Sequence, residues 1–251
     1  MSAEIAQFKR VLIKLSGEAL KGDRPSGLDG EAIRSVAARI GKLHERGVEV
    51  AIVVGGGNFF RGLASSAGAG IHRTTGDAIG MLATMMNGLA LRDGLEASGL
   101  DAELMTAKPL PGVGRAFGCD EARCLLDAGK TMVFAGGTGC PFFTTDTTAA
   151  LRACEIEADA ILKATKVDGV YSADPEKDEN AIRYRKLAYQ DALRNRLGVM
   201  DSTAFSLCMD NGMRILVFDF NDPESLEQII TGDFTRGTLV GPVETEIDNN
   251  P

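Results

Sequence analysis

The stretch RVLIKLSG, residues 10–17, decides the fold. Its alternation predicts a β-strand with apolar side chains on one face and Leu12, Lys14 and Ser16 on the other. The neighbouring apolar residues favour a central strand, and an edge strand with Lys14 reaching water is the alternative. A buried ammonium group is costly unless it is paired. A central lysine near a strand end therefore indicates an anionic ligand such as a phosphate.

Helix and strand patterns alternate along the rest of the chain. The segment LDGEAIRSVAARIGKLHERG predicts a helix capped by Asp29 and ended by Gly47, and the β-branched run VEVAIVVGGG predicts the next strand. Further strands are predicted near 102–107, 131–137, 159–165, 170–171, 214–220 and 237–241. Helices are predicted near 76–98, 120–129, 147–158, 187–195, 202–210 and 222–230. This order predicts an α/β fold, an αβα sandwich with a mostly parallel central sheet.

Length and composition predict one domain over residues 1–251, with an ordered core at about 10–241 and an acidic tail at 242–251. The net charge of −8 opposes binding to nucleic acid or to anionic membranes. No apolar run is long enough to span a bilayer, and the first residues lack a signal-peptide core. We therefore expect a cytoplasmic protein without nucleic-acid or membrane partners.

The cysteines and histidines argue against disulfides and zinc. The five cysteines are odd in number and include no C-x-x-C pair, which predicts reduced thiols that act mostly as small core residues. Only two histidines are present, too few to favour an all-protein zinc site. No residue is assigned as a metal ligand.

Four loops at strand ends carry unusual residues: KLSG, GGGNFFRG, GGTGCPFFTTD and KATKVDGVYSADP. Ligands of parallel sheets bind outside the carboxyl ends of the strands, so these loops are expected to face one crevice. The three glycines at 55–57 leave backbone amides bare for a phosphate, and Arg61 can bond phosphate oxygens bidentately. A tight turn followed by a surface arginine is the alternative.

The run GGTGCPFFTTDTTA, residues 136–149, suits a base and a phosphate. Its glycines expose amides, its threonines offer hydroxyls, and Phe142 and Phe143 can wall a flat ring, although either ring could simply belong to the core. Asp146 is either a helix cap or a partner of a lysine or metal. Asp77 is favoured as a cap of the long helix, with ribose binding as the alternative. Tyr171 could stack on a purine.

The standard nucleotide motifs are absent. CLLDAGKT has Cys124 where a Walker A loop has its first glycine, and Lys130 precedes a strand instead of a helix. GVGRAFG has Phe117 in place of the third glycine of a dinucleotide fingerprint. We interpret the first as a helix end, and a Rossmann dinucleotide site is not supported.

The segments KLSGEAL, GGGNFFRG, GDAIGMLATMMNGLALRD, GTGCPFFTTDTTA and LKATKVDGVYSADP together resemble the bacterial uridylate kinases of the amino-acid kinase superfamily. The resemblance runs in order from about Val11 to Gly241. It implies transfer of the ATP γ-phosphoryl group to UMP, with Mg²⁺, in pyrimidine nucleotide biosynthesis. It also implies an N-terminal acceptor lobe and an ATP lobe over about 160–241.

The resemblance assigns roles by position. The implied catalytic residues are Lys14, Arg61, Asp146 and Lys163. The implied ATP contacts are Lys14, Leu15, Ser16, Gly17, Gly57, Arg61, Thr165, Tyr171 and Asp174. The implied UMP contacts are Gly56, Asp77, Thr138, Gly139, Cys140, Pro141, Phe142, Phe143, Thr144 and Thr145. Asp146 would orient Lys14 or Lys163, or help to seat Mg²⁺, and these options stay open.

Two departures from the family pattern are visible. Cys140 stands where the family more usually has asparagine, and KGDRPSGLD differs from the commoner form of a segment associated with GTP regulation. A homohexamer, GTP activation and UTP inhibition are family expectations only. A carboxylate or carbamate kinase of the same superfamily, and a non-catalytic nucleotide-binding or metal-storage relative, are the competing hypotheses.

Overall fold

The computed structural model describes residues 6–60, 70–175 and 177–248. The strands are β1 (Arg10–Leu15), β2 (Glu49–Val54), β3 (Ala102–Thr106), β4 (Arg115–Ala116), β5 (Thr131–Ala135), β6 (Ala160–Thr165), β7 (Val170–Tyr171), β8 (Arg183–Ala188), β9 (Arg214–Asp219), β10 (Gly237–Gly241) and β11 (Glu246–Ile247). The α-helices are α1 (Gly30–Glu45), α2 (Arg73–Ala97), α3 (Cys119–Asp127), α4 (Thr145–Glu155), α5 (Tyr189–Arg194), α6 (Ser202–Asp210) and α7 (Ser225–Ile230). Short 3-10 turns cover Gly17–Leu20 and Phe234–Arg236.

The strands form one sheet in the order β11-β8-β10-β9-β6-β1-β2-β5-β3-β4, and β7 pairs with β8. The run from β9 to β4 is parallel throughout, and antiparallel pairs occur only beyond β9, at β9–β10, β8–β11 and β7–β8, among the residues described. β1 lies inside the sheet between β2 and β6. The mostly parallel sheet is therefore confirmed, and the edge-strand alternative for Lys14 is wrong.

Helices cover both faces of the sheet. Val11, Ile13 and Leu15 of β1 pack in one core with α1, α2 and α7. Leu12 points to the other face, into a core shared with α3, α4, α5 and α6. Each fully buried large aliphatic side chain contributes about 1.5–3 kcal/mol relative to exposure. The predicted αβα sandwich and the predicted faces of β1 are confirmed.

Parallel pairing brings the strand ends that precede the predicted loops to one edge. Leu15 of β1 pairs with Val54 of β2, and Lys14 pairs with Lys163 of β6. β5 lies beside β2 in the same direction. The loops that follow these four strands therefore leave the sheet side by side.

Several predicted boundaries are wrong. Residues 183–188 form strand β8, and the helix predicted from 187 begins at Tyr189. The acidic tail was placed outside the ordered core, but Glu246–Ile247 pairs with β8. β8 lies near the sheet margin and is charged on both faces, RYRKLA, so alternation does not mark it. Asp29 does cap α1, as predicted, by accepting hydrogen bonds from two backbone amides.

All five cysteines are free thiols. Cys208 is buried, whereas Cys124 and Cys140 are exposed, so the expectation that the cysteines act mostly as core residues is wrong for these two. Lys130 follows the end of α3 and pairs with Asp101, which confirms that CLLDAGKT is a helix end. Within the described ranges, no helix combines the length and apolar character needed to cross a membrane.

Candidate active site

Two lysines on adjacent strands share one carboxylate at the centre of the sheet edge. Lys14 Nζ lies 2.9 Å from Asp146 Oδ1, and Lys163 Nζ lies 2.9 Å from Asp146 Oδ2. All three side chains are only 15% exposed. Because one carboxylate faces two ammonium groups, the ionised cluster carries one net positive charge that is available to an anion.

The pKa shifts in this cluster follow from burial and charge. Burial raises the pKa of Asp146, but the opposing attraction of Lys14 and Lys163 is larger in sum and leaves the pKa below its ordinary value. For Lys163 burial is the dominant cause and lowers the pKa, with Lys14 acting in the same direction against the attraction of Asp146. The carboxylate is therefore held ionised, while Lys163 is the strained cation of the cluster.

Asp146 is not the cap of its helix. Thr144 is the N-cap of α4, and its hydroxyl accepts a hydrogen bond from the backbone amide of Thr147 at 3.1 Å. Asp146 lies in the first turn, where the helix dipole favours a negative charge. Because Thr144 takes the cap position, the Asp146 carboxylate is free to face the two lysines, so the cap interpretation is wrong.

The glycine loop after β2 is packed closely against the loop after β1. A Cβ atom on Gly17 would lie 2.4 Å from Asn58 Oδ1 and 2.7 Å from the Gly55 carbonyl oxygen. Real Cβ atoms do not come this close to backbone, so only glycine fits at position 17. The two loops expected to bind phosphates therefore touch through their backbones.

A buried amide pair ties this glycine loop to helix α2. Asn58 and Asn87 are 3% and 0% exposed, and each side-chain amide donates a hydrogen bond to the other's oxygen, at 2.9 and 2.7 Å. Asn87 also donates to the Gly55 carbonyl at 2.6 Å, and Asn58 donates to the Gly27 carbonyl at 2.8 Å. Donors and acceptors therefore satisfy one another where water is excluded.

A cleft of about 270 Å³ collects most of the predicted acceptor residues. The predicted UMP contacts that line it are Gly56, Asp77, Thr138, Cys140, Phe143, Thr144 and Thr145, and Gly57, predicted as an ATP contact, lines it too. Gly139, Pro141 and Phe142 lie in the same loop. Phe142 and Phe143 are 62% and 50% exposed, so the alternative that these rings are core is wrong. Gly136, Gly137 and Gly139 all have positive φ, which explains why this loop is built on glycines.

Asp77 lies inside helix α2 and does not cap it, because the helix begins four residues earlier at Arg73. The Asp77 carboxylate accepts two hydrogen bonds from Arg73 Nε, both at 2.9 Å, and one from the Phe142 backbone amide at 2.8 Å. The predicted cap is therefore wrong. Asp77 joins α2 to the loop that carries the two phenylalanines, and it lines the acceptor cleft.

A second cleft, of about 430 Å³, holds the residues predicted for the purine. Lys163, Thr165, Tyr171 and Asp174 line it. Tyr171 donates a hydrogen bond to Asp168 at 2.7 Å. Burial, followed by this hydrogen bond and the carboxylate charge, raises the pKa of Tyr171 to about 12. Tyr171 therefore stays a neutral phenol, suited to stacking.

A third cleft, of about 670 Å³, extends from the lysine cluster along the 3-10 turn that follows β1. Lys14, Ser16, Lys163 and Thr165 line it, and the last two also line the Tyr171 cleft. Leu15 is fully buried in the core, so only its backbone could face a ligand. Arg61 lies outside the described residues.

Two residues of the site were missed by the sequence reasoning. Asp201 caps α6 and accepts hydrogen bonds from the hydroxyls of Thr144 and Thr147. Arg73 holds Asp77, and its guanidinium lies 5.4 Å from the centre of the Phe142 ring. The signal for Asp201 was its place before the helical run STAFSLCMD, but a cap alone does not indicate a contact with a distant loop.

The sequence matches the model of the amino acid kinase family over residues 9–219. The chain belongs to the amino acid kinase family. A curated uridylate kinase from Marinobacter nauticus is 52% identical over 234 residues, which cover 93% of this chain and 96% of the relative. A uridylate kinase from Legionella pneumophila is 53% identical over 235 residues, 94% of this chain and 95% of the relative. The resemblance inferred from the motifs is confirmed.

Solved structures of similar proteins agree with the fold. The crystal structure of UMP kinase from Bacillus anthracis has a TM-score of 0.92 and 37% identity, and the match covers 96% of this chain and 99% of that one. UMP kinase from Ureaplasma parvum has a TM-score of 0.88 and 34% identity, with 93% and 98% covered. The architecture is therefore that of a UMP kinase.

Proposed function

We propose that this protein transfers the γ-phosphoryl group of ATP to UMP, giving UDP and ADP in pyrimidine nucleotide biosynthesis. The main support is the pair of lysines, Lys14 and Lys163, that Asp146 holds at the sheet edge. A cleft lined by glycines and by Asp77 lies beside them. The uridylate kinase names of relatives near 50% identity support UMP as the acceptor. A carboxylate or carbamate kinase, and a non-catalytic relative, are not favoured.

In the proposed reaction a UMP phosphate oxygen attacks the ATP γ-phosphorus, a new P–O bond forms, and the bond to the β-phosphate oxygen breaks as ADP leaves. The attacking oxygen is already anionic, so no general base is needed, and catalysis reduces to positioning and charge neutralisation. Lys14 neutralises charge on the transferred group, and a hydrogen bond to a charged group is worth about 1.5–3 kcal/mol. The contacts of Asp146 with both lysines favour an orienting role for this carboxylate.

The remaining assignments follow the clefts. Gly56, Asp77 and the threonines of residues 138–145 would hold UMP, and Ser16, Gly17 and Gly57 would lie along the donor phosphates. Thr165, Tyr171 and Asp174 would hold the adenosine. The acceptor loop would select uracil over cytosine because buried groups matched to one base are left unpaired by the other. Arg61 stays a predicted phosphate ligand.

Mg²⁺ would arrive with ATP. Among the described residues no three His, Cys, Asp or Glu side chains lie together, which fits an ion held mainly by substrate phosphates with one or two carboxylates. Asp146 Oδ1 fits such a role, since it is buried and its 2.9 Å ion pair with Lys14 lacks good hydrogen-bond geometry. When bound, the ion would neutralise charge on the phosphate oxygens.

A homohexamer, GTP activation, UTP inhibition and a cytoplasmic location stay predictions from the family resemblance. The exposed apolar side chains of Leu82 and Met86, 55% and 45% exposed on α2, are suited to a subunit contact. Size-exclusion chromatography with light scattering tests the hexamer, and initial rates with added GTP or UTP test the effectors.

The function is tested by coupled ADP release from Mg-ATP with UMP, CMP, dTMP, aspartate or acetylglutamate offered separately. A reaction without acceptor measures idle ATP hydrolysis, and Lys14→Met serves as the inactive control. Release with UMP alone supports the proposal. Release only with a carboxylate would overturn the acceptor assignment but keep Lys14, and no release with any acceptor would favour a binding protein.

A further inference from the structure

Arg183 is a guanidinium outside the clefts already described that touches four groups. It lies on β8, directly across the antiparallel pair from Tyr171 of β7. Arg183 Nη1 donates to the Asp168 carbonyl at 3.2 Å and lies 3.3 Å from the Asp168 carboxylate. Arg183 Nη2 donates to the Thr235 carbonyl at 2.6 Å and forms an ion pair with Asp248.

These contacts make Arg183 a clamp and not a surface charge. Its side chain is 12% exposed, and that of Asp248 is 14% exposed. A planar guanidinium can satisfy several acceptors at fixed angles, which a lysine cannot. The clamp joins the turn that ends at β7 to the 3-10 turn before β10 and to the segment after β11.

One end of the clamp contacts Tyr171, the residue predicted to stack on the purine of ATP, through Asp168. Asp168, held by Arg183, accepts the hydroxyl hydrogen bond of Tyr171 at 2.7 Å. The contacts therefore run from the segment after β11, through Arg183 and Asp168, to the Tyr171 ring. This ring lines the second cleft, which is proposed to hold the adenosine of ATP. Burial first, and then the hydrogen bond to Asp168, raise the pKa of Tyr171 to about 12, so the phenol stays protonated and able to donate.

The backbone at Gly169, next to Asp168, packs closely against Thr238 and the Arg183 side chain. A Cβ atom on Gly169 would lie 2.5 Å from Thr238 Oγ1 and 3.1 Å from Arg183 Cδ. The Thr238 hydroxyl accepts a hydrogen bond from the Val170 amide at 2.8 Å and donates to the Tyr184 carbonyl. The turn thus lies directly on Arg183, so loss of the guanidinium frees the turn on that side.

We infer that Arg183 is a positioning residue for the nucleotide donor, which sets the place of the Tyr171 ring through Asp168. This inference rests on the proposed function and adds a residue to its donor half. Arg183 touches no reacting atom. Its removal should weaken ATP and leave UMP unaffected, because the acceptor cleft is built from other elements.

The experiment measures initial rates of the full-length protein with ATP and UMP varied in turn, for wild type, Arg183→Met, Tyr171→Phe and the double variant. We expect Arg183→Met to raise the KM for ATP about tenfold, the equivalent of one charge-assisted hydrogen bond, with the KM for UMP and kcat at saturating ATP unchanged. Arg185→Met is the matched control. This side chain lies on the same strand, is 39% exposed, contacts Glu246 at 3.5 Å and should leave the KM for ATP unchanged.

The double variant separates positioning from general damage. If Arg183 acts through the Tyr171 hydroxyl, its replacement in the Tyr171→Phe background should raise the KM for ATP much less than in wild type. Additive effects, equal rises in both KM values, or no change would overturn the inference.

Two further results keep the test decisive. If Arg183→Met does not fold, Asp168→Ala removes the carboxylate that joins Arg183 to the Tyr171 hydroxyl, at a side chain that is 51% exposed, and an unchanged KM for ATP there would overturn the inference. Wild-type turnover of UMP is established first. Its absence would count against the proposed function, whereas an active wild type with an unaffected Arg183 variant would count against Arg183 alone.

Discussion

Removing the carboxylate of the lysine cluster should destabilise the protein more than removing either lysine. With Lys14→Met, Asp146 keeps Lys163 at 2.9 Å and the remaining pair is neutral. With Asp146→Asn, two ammonium groups on adjacent strands face each other at 15% exposure without the carboxylate that they share, although Asp201 still attracts Lys163. An uncompensated buried charge costs about 3–5 kcal/mol, and partial exposure places Asp146→Asn near about 3 kcal/mol.

The assay is thermal and urea unfolding of wild type, Asp146→Asn and Lys14→Met at one protein concentration and pH 7. For a chain of this length a loss of about 3 kcal/mol lowers Tm by about 6–12 °C, whereas Lys14→Met should lower Tm by less than about 4 °C. Lys14→Met should nonetheless reduce kcat by at least about a hundredfold, because it removes a preorganised charge from the reacting phosphate. Equal losses of stability, or the larger loss in Lys14→Met, would refute the reasoning.

The loss of stability caused by Asp146→Asn should also change with pH in a defined direction. The folded pKa of Lys163 lies below its ordinary value of 10.5, so the charged form is penalised in the folded state below that pKa. The penalty is relieved as pH rises toward 10.5. The stability deficit of Asp146→Asn should therefore shrink between pH 7 and pH 10. A deficit that stays constant or grows over that range would contradict the assignment of Lys163 as the strained cation.

Three further outcomes are expected. Asp77→Asn should raise the KM for UMP about tenfold with little change in the KM for ATP, since the bond to the Phe142 amide loses its charge; equal changes in both values would contradict this. Gly17→Ala should lower stability by more than about 1 kcal/mol and depress transfer, while Gly41→Ala in helix α1, with open space around it, should be neutral or stabilising. Cys140, which is exposed and lines the acceptor cleft, should react with maleimide more slowly when UMP is present, and protection by ATP instead would reverse the assignment of the clefts.

The sequence predicted the sheet well wherever both faces are buried. VLIKL alternates between two cores, and the glycines that follow β1, β2 and β5 mark the ligand edge, so these strands and the apolar β6 could be predicted in place. RYRKLA could not, because a strand near the sheet margin can carry charge on both faces. The boundary of α2 was also missed, since Arg73 starts the helix without a capping side chain.

The residue types of the site could be predicted from the sequence, but their contacts could not. The motifs identified a lysine, a carboxylate and glycine loops. No local signal indicates that Asp146 contacts both Lys14 and Lys163, or that Asp201 reaches Thr144, because these contacts join segments that are distant in the chain. The caps proposed for Asp77 and Asp146 failed because the helix starts were misplaced: α2 begins four residues before Asp77, and Thr144 caps the helix that carries Asp146.

The mutual amide bonds of Asn58 and Asn87 restrict how this protein can change over generations. Replacing either residue alone strands the other amide where water cannot reach it, at a penalty of about 1–3 kcal/mol. A tolerated replacement therefore requires both asparagines to change together, or a stabilising mutation elsewhere before either of them changes. We therefore expect the two positions to be inherited as a unit, so that a laboratory library should recover paired replacements and few single ones.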